Sequence, residues 1–164
     1  MFIDPGYCVV ELVIFIGLQG SGKSTFYQMH FAATHAYVSK DLLRNNKRQR
    51  QLQLVEEALQ ASRSVVIDNT NPTVEDRAEL IRLGHQYGAE VIGYYFEMQV
   101  KKSLERNQQR DGKARVPNIA IFATAKKLVR PTYVETFDKL FSVRTGDDFT
   151  FEISDWQEGE KPHG

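Results

Sequence analysis

The chain alternates short apolar, β-branched runs with longer stretches in which apolar positions return every three or four residues. Residues 9–16 form the first apolar run and read as a buried strand. A glycine-rich turn follows, and residues 24–33 then read as a helix. Residues 36–39 fit a short second strand. Residues 41–46 and 51–63 read as helices, the second with Leu52, Val55 and Leu59 on one face. Residues 64–67 are a third buried strand. Thr73 suits an N-cap, with Glu75 and Asp76 near the positive end of a helix that runs to about Tyr87 and stops at Gly88. Residues 91–96 predict a further strand and residues 100–109 a basic helix. A polar loop covers 111–116, and a helix over 118–129 is closed off by Pro131. A last short strand spans 140–144. Strands alternating with helices of this length predict an α/β fold with parallel pairing through right-handed crossovers.

Composition narrows the class. The 164 residues are 41% hydrophobic and 26% charged, which is too apolar for a disordered chain and enough for one domain with its own core. A single cysteine, Cys8, excludes a disulfide framework and a cysteine-rich zinc site. It fits a reducing cytoplasm and reads as a small buried apolar residue. No run of ~18 apolar residues exists to span a membrane. The N-terminal apolar run is broken by Glu11 and lacks a basic region before it, so no signal peptide is expected. His30, His35, His85 and His163 lack metal-ligand spacing. Tyr94, Tyr95 and Phe96 read as core, and Trp156 is expected to fold back onto the domain.

The 21 basic and 21 acidic residues cancel, which argues against whole-molecule attraction to nucleic acid. The distribution is uneven, however. Residues 40–50 carry Lys40, Arg44, Lys47, Arg48 and Arg50 against Asp41, a local charge of +4. Residues 101–115 are also +4, while residues 147–164 are −5. We read residues 1–146 as the folded domain and 147–164 as an acidic, solvated tail with room for one edge strand at 149–153. Any binding of a phosphate backbone then rests on a local, salt-sensitive patch.

Gly17-Leu-Gln-Gly-Ser-Gly22-Lys23-Ser24 fits G-x-x-x-x-G-K-[ST] and lies between an apolar strand and a helix, where a phosphate-binding loop belongs. Its glycines let successive backbone N–H groups converge on phosphate oxygens, and the helix N-terminus adds a favourable dipole. Gly17, Gly20, Ser21, Gly22, Lys23, Ser24 and Thr25 are the expected ATP contacts. Lys23 reaches the β- and γ-phosphates, and the Ser24 hydroxyl suits Mg²⁺. Asp41 follows the second strand, at the carboxyl-terminal edge where ligands of open α/β sheets sit. A carboxylate there can accept a hydroxyl proton and aim it for in-line attack. Arg44, one helical turn further on, suits an anionic group of the acceptor. The same two residues also suit an N-cap and a plain surface arginine. Asp68 ends the third strand, in the place of a second metal-coordinating carboxylate. Asn69, Thr70 and Asn71 add hydrogen bonds without charge, and Asn71 is assigned to the acceptor. The segment equally suits a turn built on Asn and Pro72. Arg106 and Arg110, four apart, share a helix face beside the loop at Asp111-Gly112-Lys113. Arginines on such a lid can clamp a phosphoryl group in transfer.

Taken together, these segments resemble the kinase domain of the polynucleotide 5′-kinases of phage and animals. The resemblance runs from Val9 to about Arg144. It is carried by the P-loop, Asp41 with Arg44, Asp68-Asn-Thr-Asn-Pro72, Arg106 and Arg110 with Val116-Pro117, and Pro131-Thr-Tyr-Val-Glu135-Thr-Phe137, all in order. It implies a P-loop NTPase fold of the adenylate-kinase-like kind: three α/β/α layers, a mostly parallel central sheet and a helical lid. It implies ATP and Mg²⁺ as cofactors, Lys23 and Ser24 on the phosphates and metal, and Asp68 as a second metal residue. Asp41 becomes the general base, Arg44 the contact to the acceptor's neighbouring phosphate, and Arg110 the transition-state clamp assisted by Arg106. The D-x-D-x-T motif of the 3′-phosphatase domain that members often carry is absent from this sequence. One branch of the family places its acid where this chain has Asn69.

Three functions fit these residues. The first is an ATP-dependent kinase acting on 5′-hydroxyl ends of DNA or RNA, favoured by the two basic segments. The second is a kinase for a small-molecule hydroxyl of a metabolite, nucleoside or antibiotic, for which a closed acceptor pocket is expected. The third is an ATP-hydrolysing regulatory switch. Such a switch usually takes its arginine from a neighbouring subunit, whereas here the arginines lie within the chain.

Overall fold

The computed structural model describes residues 9–158, so Cys8 and His163 lie outside the described residues. A six-stranded sheet forms the middle layer in the order β2-β3-β1-β4-β5-β6. Its strands are β1 (Glu11–Ile16), β2 (Ala36–Val38), β3 (Val65–Ile67), β4 (Glu90–Phe96), β5 (Lys139–Thr145) and β6 (Phe151–Asp155). The first five pair in parallel, and β6 runs antiparallel to β5. The helices are α1 (Lys23–His30), α2 (Lys47–Gln60), α3 (Val74–Gln86), α4 (Val100–Gln108) and α5 (Asn118–Lys127). They lie on both sides of the sheet, giving the expected three-layer α/β fold.

The central strand shows why its sequence reads as continuously apolar. Alternate residues of β1 go to opposite faces. Leu12, Ile14 and Ile16 join Val55, Leu59, Leu80 and Ile81 from α2 and α3. Val13 and Phe15 join Phe26, Tyr27 and Phe96 on the α1 side. With both faces covered, residues 12–16 are all apolar, as in parallel sheets generally, and only Glu11 at the strand's start is polar. Tyr95 and Phe96 are buried as expected. Trp156 folds back, its ring 5.7 Å from that of Tyr95 and beneath the Arg130 guanidinium.

Boundaries differ from the sequence reading at informative places. Thr73 caps α3 in a reciprocal capping box with Asp76. The expected helix at 41–46 does not form. A single 3₁₀ turn covers Lys40–Leu42, Leu43 is extended and Asn46 takes a left-handed φ of 49°. α2 begins only after that reversal. α5 stops at Lys127, because Leu128 is extended and the Val129 N–H is drawn to the Pro72 carbonyl at 2.7 Å. The edge strand expected at 149–153 forms two residues later, at Phe151–Asp155, since Phe149 (φ 52°) closes a tight turn onto Gly146. The start of the acidic tail is therefore structured: Phe151 packs its ring 5.1 Å from Phe26 of α1.

Candidate functional site

The P-loop joins β1 to α1. Gly20 (φ 73°) and Gly22 (φ 93°) adopt left-handed conformations that side-chain-bearing residues rarely take. Gly20 has a second reason to be glycine: a Cβ there would lie 2.6 Å from the Ser103 carbonyl of α4. The loop is tied to its surroundings through main-chain bonds, the Gly17 N–H donating to the Thr70 carbonyl at 3.0 Å. Arg106 Nη1 donates to the Gly20 carbonyl at 3.1 Å.

Lys23 is only 7% exposed. Its Nζ donates to the carbonyls of Gly17 (3.0 Å) and Leu18 (2.6 Å) and to Ser21 Oγ (3.3 Å). Burial pushes its pKa down to about 8, with Asp68 opposing, Arg110 adding to the fall and Asp41 opposing. Three sequence-identified groups therefore act electrostatically on one ammonium.

Ser24 Oγ donates to Asp68 Oδ2 at 2.8 Å, so the two expected metal residues meet. Tyr37 of β2 donates to the same oxygen at 2.6 Å. A hydroxyl and a carboxylate form an oxygen-only donor set, the kind a hard cation such as Mg²⁺ takes while keeping several waters. The residues present therefore fit that ion.

Asp41 is exposed on the Lys40–Leu42 turn, with its N–H bonded to Ser39 Oγ at 3.3 Å. The turn is held from below by an amide chain. The Lys40 N–H donates to Asn69 Oδ1 at 2.8 Å, and Asn69 Nδ2 donates to Gln51 Oε1 of α2. Asn71, at a left-handed φ of 42°, donates to the Phe15 carbonyl at 2.8 Å. Its amide nitrogen thus braces β1. Beneath it lies Arg77, fully buried and paired through Nε and Nη2 with both oxygens of Glu135 at 2.8 and 3.0 Å. Arg77 Nη1 reaches the carbonyls of Asn71 and Val129, both at 3.0 Å. Glu135, otherwise one letter of a motif, thereby acquires a physical role, because it neutralises the cation that fixes the segment after β3.

One cavity of about 770 Å³ joins these parts, lined by the P-loop, Asp41, Asp68, Asn71, Arg106 and Arg110. Six basic side chains line it, Lys23, Lys40, Arg106, Arg110, Lys113 and Lys127, against three carboxylates, Asp41, Asp68 and Asp76. Such a surface suits a polyanion. Arg44 is exposed and does not line the cavity, because the extended Leu43 removes the helical turn that would have placed it beside Asp41. Lys127 and Phe149 line the cavity and were missed. Lys127 had no distinguishing signal in a last helical turn where lysine is ordinary. Phe149 had one, an apolar residue inside an acidic run. The Arg106 guanidinium carbon lies 5.8 Å from the centre of its ring.

The lid loop is clipped at its base. Asn107, fully buried, donates through Nδ2 to the Val116 carbonyl at 2.6 Å and accepts the Val116 N–H at 3.0 Å. Arg110 and Lys113 stand on the loop so closed. Among the described residues, no helix is long and apolar enough to cross a membrane.

Comparison with known proteins places this geometry. The AAA domain family matches residues 12–131. A bifunctional polynucleotide phosphatase/kinase of Schizosaccharomyces pombe is 28% identical over 138 residues, covering 81% of this chain and 33% of the relative. A putative bifunctional polynucleotide phosphatase/kinase of Acanthamoeba polyphaga mimivirus is 31% identical over 139 residues, with the same coverage. The chain thus spans about a third of the length of these curated relatives. The solved structure of the Pnkp1/Rnl/Hen1 RNA repair complex superposes with a TM-score of 0.61 at 21% identity, over 97% of this chain and 52% of that one. With its P-loop, its parallel sheet flanked on both sides and this match over most of its length, the chain belongs to the AAA domain family and has a P-loop kinase fold.

Proposed function

We propose that the protein transfers the γ-phosphate of ATP to the 5′-hydroxyl end of a polynucleotide. The observation that carries the reading is the single cavity in which a P-loop and the exposed Asp41 are lined together, with Lys40 and Lys127 beside them. The curated relatives named as polynucleotide phosphatase/kinases support the choice of acceptor over a small-molecule hydroxyl.

In this mechanism the P-loop N–H groups take the β- and γ-phosphates, and Lys23 exchanges its carbonyl partners for phosphate oxygens. Ser24 and Asp68 would hold Mg²⁺, which when bound neutralises charge on the phosphates. The Asp41 carboxylate accepts the proton of the 5′-hydroxyl. That oxygen forms a bond to the γ-phosphorus while the bond from phosphorus to the bridging oxygen of ADP breaks. Arg110 stabilises the charge that spreads over the transferring group. Lys40 and Lys127 take the acceptor's own phosphate, in the role the resemblance gave to Arg44. The base of ATP lies against Phe149.

The test is transfer from γ-labelled ATP offered 5′-hydroxyl DNA, 5′-hydroxyl RNA and a panel of sugars and nucleosides side by side. Labelled oligonucleotide is expected. Transfer to a small molecule with none to any oligonucleotide at low salt would overturn the reading.

A further inference from the structure

Tyr37 lies in β2, two strands away from the P-loop strand, and neither the motif nor the mechanism uses it. Its hydroxyl donates to Asp68 Oδ2 at 2.6 Å, the oxygen that also accepts the Ser24 proton at 2.8 Å. Among the described residues, no donor is bonded to the other oxygen of Asp68, although Asp68 is only 5% exposed and lines the cavity. A phenol has one proton, and here it is the donor of this bond. The ring is fixed independently of the hydroxyl by the Tyr27 ring, whose centre is 4.6 Å away.

We infer that Tyr37 is a positioning residue for the cation site. By occupying Oδ2 together with Ser24, the phenol sets the rotation of the carboxylate. In that rotation the Ser24 proton is directed at Asp68, and the lone pairs of the Ser24 hydroxyl are left for a metal. A hydroxyl has one proton and two lone pairs, so aiming the proton decides where the lone pairs go. The other Asp68 oxygen is left to a water of the ion. Partners of this kind, which touch a ligand rather than the metal, govern metal affinity in many sites. Tyr37 also lies two residues before Ser39, which accepts from the Asp41 N–H at 3.3 Å. The strand that brings the phenol to the metal carboxylate therefore leads directly into the turn that carries Asp41.

This inference rests on the reading of Ser24 and Asp68 as the magnesium residues, and it needs no acceptor for its test. ATP binding to the wild-type chain and to Tyr37→Phe is measured by calorimetry, once in EDTA and once with excess Mg²⁺, and thermal melting is recorded for both. The phenylalanine keeps the ring contact with Tyr27 and loses only the hydroxyl. Expected are a cooperative melt, an unchanged affinity in EDTA, and a Mg²⁺-dependent gain in affinity about tenfold smaller than in the wild type. An equal gain in both proteins would overturn the inference, as would an affinity lost equally with and without the metal. Loss of cooperative melting would overturn it too, since the hydroxyl would then serve the fold. A wild-type chain whose ATP affinity ignores Mg²⁺ would remove the metal reading beneath it. The kinase reading is separate and stands or falls on label transfer.

Discussion

The two halves of the cavity are built in opposite ways. The P-loop half comes from nine consecutive residues, 17–25, and its key cation is buried and held by main-chain carbonyls of the same loop. The other half comes from residues far apart in sequence: Asp41 and Lys40 on a one-turn helix, Lys127 at the end of α5, and Lys113 on the lid. These side chains are mostly exposed, and what fixes them lies outside their own segments, as with the Gln51–Asn69–Lys40 chain. A triphosphate is the same in every turnover and suits a rigid, backbone-built cradle. The proposed acceptor, a polynucleotide end that varies in base and length, would suit charged side chains presented from several elements.

Substitutions can sharpen this contrast, beginning with the largest effect. Asp41→Asn keeps the shape and removes the proposed base. Turnover is expected to fall by about 10²–10⁴, with ATP affinity unchanged in a direct binding measurement. Lys23→Ala on the other side should cost about 10²–10³ in turnover and, unlike Asp41→Asn, also weaken ATP binding. Equal effects of both substitutions on ATP affinity would break the division. Phe149→Ala is expected to raise KM for ATP by about 5- to 150-fold, the range given by loss of base–aromatic stacking, without changing KM for the acceptor. Lys127→Ala should do the reverse: acceptor KM rises a few-fold, and the slope of log affinity against log salt falls by about one.

The smallest effect is a proton count. Lys23 titrates at about 8 in the folded chain, below its ordinary value of 10.5. Its depressed pKa means that the folded chain binds fewer protons than the unfolded one between these values. The cost of burying the charge is therefore full below pH 8 and is relieved as pH rises through the window. Phosphates restore the charge, so ATP binding is expected to draw a proton onto Lys23 at pH 9, and Lys23 is expected to contribute almost nothing to the proton count at pH 6.5. Calorimetry in buffers of different ionisation heat measures this directly.

The same contrast explains what the sequence disclosed. The P-loop is legible because its chemistry is contiguous, and β1 because burial on both faces leaves residues 12–16 without a polar interruption. That Asp41 lines the cavity is legible from its place after β2, whereas Arg44, expected beside it, does not line it. A helix was expected at 41–46, and the left-handed Asn46, which reverses the chain there, looked like any polar residue. Glu135 stood out as part of a motif, yet its partner Arg77 did not. An arginine inside an amphipathic helix looks solvent-facing until the fold closes over it. Phe149 and Lys127 became site residues only when the sheet brought the β5–β6 turn and the end of α5 to the P-loop.

The Asn107 clip has a consequence for how the lid acts. A free loop that brings two cations, Arg110 and Lys113, to the cavity loses conformational entropy whenever it closes on a ligand, by roughly 1–2 kcal/mol for each residue fixed. Here the Asn107 side-chain amide pairs with both main-chain groups of Val116, as a neighbouring strand would, and joins the two ends of the loop before any ligand arrives. Residues 108–115 are thus a short closed ring rather than an open tether, and most of the ordering cost is met during folding. On the proposed mechanism, more of the attraction between Arg110 and the transferring phosphoryl group is then left to lower the barrier. Asn107, which lies outside the cavity lining, would in that case be a residue through which the stability of the fold is converted into turnover.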